Sequence, residues 1–510
     1  MPVTTRVQTA GSVTWTAHTI RVTLGLMVAI FVAAMDASVV ATAVPTIAGQ
    51  LGQFALYPWL ISGYLLTSTT TVPLWGRLAD IHGRRRILLA GMAWFVATSL
   101  LCGWAPDMAW LVAFRALQGI GAGCLLPVAL TMVGDLFTIE QRARMQGAFS
   151  SVWAIAALAG PTLGAVFVST IGWRWIFWIN LPIGLAASAL LWTHRDAPAG
   201  RRARLDYLGA ILLTAGIGLV LFGLDGGGRG GGGSTSPLWP LVALGLATLA
   251  AFAVAQRRTE SPTIPFSLLR HRVIGPATAA AFLAGTVTFA LSAFLPLYVQ
   301  GVLQGTSFAA GAVVSASSIG WTATAIFSGR FMLRFGYERL VLGGALSMVA
   351  GTTALVLRPP GAGVVWVAAA AFAVGLGMGQ LLTPLLIVVQ SVVDWSTRGT
   401  ATALNQFSRT IGGAIGVSLL GLLLGDRARA AAARHGVDPQ TVANPLSESG
   451  HVDAVTAPLI TDALQAVFWV LLAISLATLA IGVAILLTSG GRIGARAAHD
   501  PAAHDPAAHD

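Results

Sequence analysis

Asp36 is the single acidic residue, out of 19, that stands deep inside a long apolar run; the others lie in connecting stretches, at run ends or in the tails. Arg115 stands inside a second run and Arg409 inside a third. Charges in hydrocarbon are costly, so each of the three is a candidate functional residue. Asp36 follows Arg21, where its run begins, by 15 residues; at 1.5 Å per helical residue it is about 22 Å from that end. Arg115 is about six residues into a run that enters from the opposite side, about 9 Å deep. In a hydrocarbon core about 30 Å thick, both reach comparable depth and can pair. Burial disfavours a charged carboxylate, and a nearby cation favours it. A rearrangement that parts Asp36 from Arg115, or wets either, therefore makes Asp36 take up or release a proton. A fixed structural ion pair is the alternative. Arg409 has no acidic partner in view. Contact with backbone carbonyls or a helix end is the first reading of it, an anionic group of a substrate the second.

A second chemical element is the charged island Gly76-Arg77-Leu78-Ala79-Asp80-Ile81-His82-Gly83-Arg84-Arg85-Arg86, set between two apolar runs. It reads as a latch. Asp80 can sit against the positive end of a helix that begins near Gly399, a contact worth about 0.3–1 kcal/mol at a surface. Arg84 can reach Asp135, at the end of the run that holds Arg115. Glycines at 76 and 83 permit a tight turn. The frame recurs: Gly76, Arg77, Gly83, Arg86 and Gly91 match Gly329, Arg330, Gly336, Arg339 and Gly344, each 253 positions on. In the second copy Leu333 takes the place of Asp80, so the latch is one-sided. A repeat of this size in a membrane chain signals two related halves, a common build of secondary transporters.

The elements that must carry these groups are membrane helices. Hydrophobic residues make up 55% of the chain and charged ones 10%, against roughly a quarter charged in a soluble domain. With about 20 apolar residues per crossing, fourteen segments qualify: 21–47, 56–76, 87–105, 109–133, 147–169, 175–193, 207–224, 238–255, 273–299, 308–329, 340–357, 364–390, 400–424 and 465–489. The fold class expected is an all-α membrane protein. A cytoplasmic N-terminal segment (1–20) precedes a six-helix bundle (21–193). A linker with an inserted hairpin (194–272), a second six-helix bundle (273–489) and a disordered tail (490–510) follow. All 30 basic residues are arginine, which fits GC-rich coding and points to a bacterial source. Placing the N-terminus inside puts 22 of them on the cytoplasmic side, so both termini are expected there, in a cell (inner) membrane. Glycine pairs recur as well. Gly119, Gly121 and Gly123 are echoed by Gly375, Gly377 and Gly379, and Gly160-Pro161-Thr162-Leu163-Gly164 by Gly412 to Gly416. Small residues let membrane helices approach closely, and Pro161 removes a helical hydrogen bond and forms a hinge.

Other classes lack their minimum parts. The net charge of +11 comes as short arginine clusters between apolar runs, a topology signal and not a nucleic-acid face. Cys102 and Cys124 fall inside apolar runs, so neither a disulfide framework nor a metal site is expected. The evenly spaced histidines of the tail read as polar disorder. No phosphate loop and no H-E-x-x-H pattern occurs.

The chain resembles the major facilitator superfamily, specifically its fourteen-helix drug:proton antiporter branch. The 76–86 island resembles motif A, with Ile81 where a basic residue is usual. Leu111-x-x-x-Arg115-x-x-Gln118-Gly119 is similar to motif B, and Gly160-Pro161-x-x-Gly164 to motif C of the antiporters, with Ala156 and Ala165 in place of glycines. Met35 to Pro45 resembles the first-helix motif, and Trp173 to Pro182 the entry to the sixth helix. The resemblance implies multidrug efflux with antibiotic resistance, by alternating access, driven by protons without a cofactor, in a chain that works as a monomer. It implies proton coupling at Asp36 and Arg115, and a cytoplasmic gate of Gly76, Asp80, Gly83, Arg84, Arg85, Arg86 and Asp135. Gly160, Pro161 and Gly164 would form the hinge. Trp153, Phe294, Trp321, Gln380, Asn405, Gln406 and Arg409 are the cavity candidates. Lipophilic or amphipathic small molecules are the expected cargo. With one embedded acid against two arginines, dications are expected to be poor substrates. A lipid exporter on the same fold and a non-transporting sensor or scaffold are the rivals.

Overall fold

The computed structural model describes residues 16–51, 59–194, 206–224, 238–259, 262–359, 361–436 and 457–489. The expected N-terminal segment up to residue 15, the glycine-rich connector at 225–237 and the tail from 490 lie outside them. Every element is helical: α1 (Ala17–Leu51), α2 (Trp59–His82), α3 (Arg84–Gly103), α4 (Met108–Leu136), α5 (Ile139–Thr170), α6 (Trp175–Trp178), α7 (Asn180–Leu191), α8 (Tyr207–Leu224), α9 (Trp239–Arg258), α10 (Phe266–Leu269), α11 (Ile274–Gly301), α12 (Ser307–Phe335), α13 (Tyr337–Val356), α14 (Val364–Ser391), α15 (Trp395–Arg434) and α16 (Ala457–Ser489). Ten of these are long and apolar enough to cross a membrane, and two shorter apolar stretches, Trp175–Leu191 and Leu208–Leu224, accompany them.

The repeat in the sequence reappears as a repeat in packing. In the first half α4 packs on α2 and α3, α1 on α5, and α7 on α1 and α3. In the second half α14 packs on α12 and α13, α11 on α15, and α16 on α11 and α13. The halves meet through α2 against α15 and α5 against α12, two contacts that exchange under the same correspondence. Glycines set the spacing. A Cβ on Gly121 would fall 2.7 Å from the Phe95 nitrogen, and one on Gly344 would fall 2.6 Å from the Gly377 carbonyl oxygen. Close approach of this kind replaces the hydrophobic drive that lipid does not supply. Gly83 and Gly336, equivalent in the repeat, both take positive φ, at 93° and 83°, where α3 and α13 begin. Glycine alone enters that region at no steric cost.

Between the halves in sequence, α8 and α9 lie antiparallel, Gly223 against Val242 and Gly216 against Leu249. They touch the rest mainly through α8, which leans on α2 and α15.

Helix ends depart from the sequence reading at many places; α5, for one, starts at Ile139 where 147 was expected, and α2 runs to His82 where 76 was. α15 continues to Arg434 where 424 was expected, because Ala428, the alanines at 430–433 and the intervening arginines are all strong helix formers. α16 starts at Ala457, eight residues early, and 437–456 lies outside the described residues. The segment expected at 175–193 is broken: α6 ends at Trp178 and α7 starts at Asn180.

Candidate functional site

α1 carries Asp36 between Met35 and Val39, all three buried against neighbouring helices. Asp36 and Arg115 are each 1% exposed, and the Arg115 Nη1 to Asp36 Oδ2 distance is 2.6 Å. Removing two charges from water costs several kcal/mol each, and only good geometry with further hydrogen bonds offsets that. Here those bonds exist. Gln118 Nε2 and Asn180 Nδ2 both donate to Asp36 Oδ1, at 3.1 and 3.0 Å. Arg115 Nη1 also donates to Gln118 Oε1 at 2.7 Å, and its Nε to the Leu60 carbonyl at 3.4 Å. The guanidinium lies over the Tyr64 ring, 4.0 Å from its centroid. Asn180 Nδ2 donates in addition to Ser99 Oγ at 2.9 Å. The pair is therefore held by α1, α2, α4 and α7, with α3 behind them.

The sequence alone gives Gln118 and Asn180 no distinct role. Gln118 sits three residues after Arg115, hence on the same helical face; that spacing was the available signal. Asn180 owes its position to the break between α6 and α7, which Pro182 marks: it has no N–H for the Trp178 carbonyl four residues back.

A second polar cluster closes one end of the molecule. Asp80, near the end of α2, meets the second turn of α15, which begins at Trp395 and not near Gly399: Oδ1 accepts from the Gly399 N–H at 2.9 Å, and Oδ2 from the Thr400 N–H and hydroxyl, each at 2.8 Å. The carboxylate thus lies against the positive N-terminal part of α15, where a negative charge is stabilised. Arg84 Nη2 reaches Asp80 at 3.2 Å and the Trp395 carbonyl at 2.6 Å, and Arg84 Nε reaches Asp135 at 2.6 Å. The Arg84 guanidinium also covers the Trp395 ring, 3.9 Å from its centroid. Arg398 adds a link from α15 to Asp135 of α4, at 2.7 Å. The cluster joins α2 and α4 of one half to α15 of the other. Gly76 and Gly399 make it possible: a Cβ on Gly399 would fall 2.5 Å from Asp80 Oδ1 and 2.9 Å from the Gly76 carbonyl oxygen. Arg85 takes another course, donating to the carbonyls of Leu191 and Trp192 within its own half. Arg86 is exposed.

Gly160 of α5 packs against Ser38 of α1, and Gly164 is buried. Pro161 falls within α5, but its side chain lies outside what is described.

Two cavities lie between the halves. The smaller, about 300 Å³, is bounded by α4, α5, α11, α12, α14 and α15 and lined by Trp153, Trp321, Asn405, Gln406 and Arg409 among others. The larger, about 1040 Å³, lies among α2, α8, α11 and α15, with mostly apolar walls. Phe294 lines this larger cavity instead of the smaller. Gln380 lines neither; it faces α13, its Oε1 3.2 Å from where a Cβ on Gly343 would stand. Helical spacing alone does not tell which of two flanking neighbours a residue on α14 meets. The smaller cavity thus brings together five of the seven residues expected to line a cavity. Neither Asp36 nor Arg115 lines either cavity.

Helices that span a membrane, doubled by an internal repeat and enclosing cavities between the halves, define a membrane transporter. A sequence profile of the Major Facilitator Superfamily matches residues 26–417, and the chain belongs to that family: it is a multi-pass membrane transporter and not an enzyme. It is 32% identical over 406 residues to the multidrug transporter protein MdtP of Bacillus subtilis, covering 79% of this chain and 75% of that protein. It is 33% identical over 401 residues to multidrug resistance protein 3 of the same organism, covering 78% of each. The efflux pump dotC of the fungus Dothistroma septosporum is 32% identical over 402 residues, covering 77% of this chain and 69% of that one. Among solved structures, the human organic anion transporter MFSD10 superposes with a TM-score of 0.59 at 14% identity, over 89% of this chain and 99% of that one. The proton:xylose symporter XylE superposes with a TM-score of 0.60 at 13% identity, over 90% and 94%. These two likenesses concern the fold alone.

Proposed function

We propose that this protein is a proton-coupled exporter that moves lipophilic small molecules out of the cell by alternating access. The names of its relatives at about 32% identity support drug export. The observation that carries proton coupling is the enclosed Asp36 carboxylate, held at once by Arg115, Gln118 and Asn180. A carboxylate so held is a two-state element. While ionised it ties α1 to α4 and α7; once protonated it gives up its charge-assisted bonds, each worth about 1.5–3 kcal/mol, and the helices are free to shift. Since Asp36 lies away from both cavities, proton and cargo act on each other through helix movement and do not compete for one spot.

In this reading the chain crosses the bilayer fourteen times. α1–α7 and α11–α16 form two six-helix bundles, α8 and α9 are an inserted hairpin, and both termini are cytoplasmic. The Asp80 cluster is then the cytoplasmic gate, closed here, and the energy source is the proton gradient. The test is transport by proteoliposomes carrying an imposed pH gradient, with an uncharged, a zwitterionic and a dicationic drug as probes. Gradient-dependent accumulation that a protonophore abolishes is the expected result; transport indifferent to the gradient rules the coupling out. The apolar walls of the larger cavity favour one second reading, export of an amphiphilic lipid on the same fold.

A further inference from the structure

Arg409 lines the smaller cavity without a counter-charge. No ion pair among the described residues includes it, and its Nε is buried with no hydrogen-bond partner, backbone carbonyls included. Its aromatic neighbour is Trp321, whose ring centroid is 5.6 Å from the guanidinium carbon. A guanidinium keeps its charge in proteins, and leaving one unpaired in a confined site is costly. The contrast with Arg115 is direct: that arginine has a carboxylate, an amide and a carbonyl.

What surrounds Arg409 points to an occupant. Among the described residues neither cavity wall contains a carboxylate, so no described group that lines them neutralises it. Asn405 and Gln406 add amide groups on the preceding turn of α15, and Trp153 faces the same space from α5. Phe289 and Ser292 line both cavities, so the polar end at Arg409 adjoins about 1040 Å³ of mostly apolar room. We propose that this site takes an amphipathic organic carboxylate, its head paired with Arg409, its body against Trp321 and Trp153, and its apolar tail in the larger cavity. The planar guanidinium fork matches a carboxylate through two parallel hydrogen bonds. The assignment names the cargo class of the exporter proposed above and rests on that reading for its role in transport.

The test is binding of 11-(dansylamino)undecanoic acid and of its methyl ester to the full-length protein in nanodiscs, read by tryptophan-sensitised dansyl emission after subtraction of empty discs. The acid is expected to bind at least about tenfold more tightly than the ester, about 1.4 kcal/mol. Arg409→Gln is expected to erase that difference by weakening the acid, and Arg409→Lys to retain part of it, with charge but no fork. Should Arg409→Gln fail to fold, Asn405→Asp supplies an internal carboxylate one turn from Arg409 and is expected to weaken the acid at least about fivefold more than the ester. A native protein that binds acid and ester alike overturns the proposal, as does a variant that weakens both equally. The same protein in proteoliposomes separates the two readings. Arg409-dependent binding without gradient-driven transport of any probe removes the exporter and leaves the anion site. Gradient-driven transport of an uncharged drug without preference for the acid does the reverse.

Discussion

Replacing Asp80 by asparagine should open the end of the molecule that its carboxylate holds shut. Asp80 accepts four hydrogen bonds, from the Gly399 N–H, the Thr400 N–H, the Thr400 hydroxyl and Arg84 Nη2. An asparagine oxygen placed at Oδ2 keeps the two from Thr400. Its amide nitrogen then occupies the Oδ1 position, where it meets Gly399 N–H and Arg84, donor facing donor. Two bonds to a charged acceptor are lost, each worth about 1.5–3 kcal/mol, so the closed arrangement loses about 3 kcal/mol at the lower end. That is a shift of about 10²-fold in the ratio of closed to open molecules. Spin labels on cysteines introduced at His82 and Ser396, both exposed and on opposite sides of the contact, report the distance by double electron–electron resonance. The native protein should give one short distance population, and Asp80→Asn a second, longer one of comparable or greater weight. Identical distance distributions in the two proteins would refute the reasoning, because the carboxylate would then not be holding the contact.

Gly399→Ala should open the same end by a different route, since a Cβ there falls 2.5 Å from Asp80 Oδ1 and 2.9 Å from the Gly76 backbone oxygen; the same label pair should lengthen and transport should fall. Asn180→Ala removes a donor to both Asp36 and Ser99 and should cost about 1.5–3 kcal/mol, seen as a lower unfolding temperature in detergent; an unchanged temperature counts against the bond. Cys102 and Cys124 are both buried, Cys124 directly against Gly91, so neither should react with maleimide in the folded protein. Rapid labelling of the native chain would contradict that packing.

The parts of the site readable in advance are those where the sequence breaks its own pattern. Asp36 and Arg115 stand out because a charge in an apolar run has no bland explanation, and Asp80 because it sits in an island whose frame recurs. Arg398 was legible only as one of many loop arginines that set topology, yet it bridges to Asp135 across the two halves. Gln118 and Asn180 are uncharged, and polar amides in membrane helices carry no comparable cost, so their part in holding Asp36 shows only once the helices are placed. Gln380 illustrates the limit from the other direction: its type suited a cavity, but its position on α14 turns it toward α13. The extension of α15 to Arg434 escaped a hydropathy reading because it is built on alanine propensity and not on apolar length.

In the proposed mechanism the proton travels on Asp36. Its most direct test is to reconstitute the native chain and Asp36→Asn in parallel proteoliposomes and to measure substrate accumulation under an imposed pH gradient, together with exchange at equal pH. The variant should still exchange substrate but no longer concentrate it against its gradient. A variant that concentrates substrate at the native rate would contradict the mechanism.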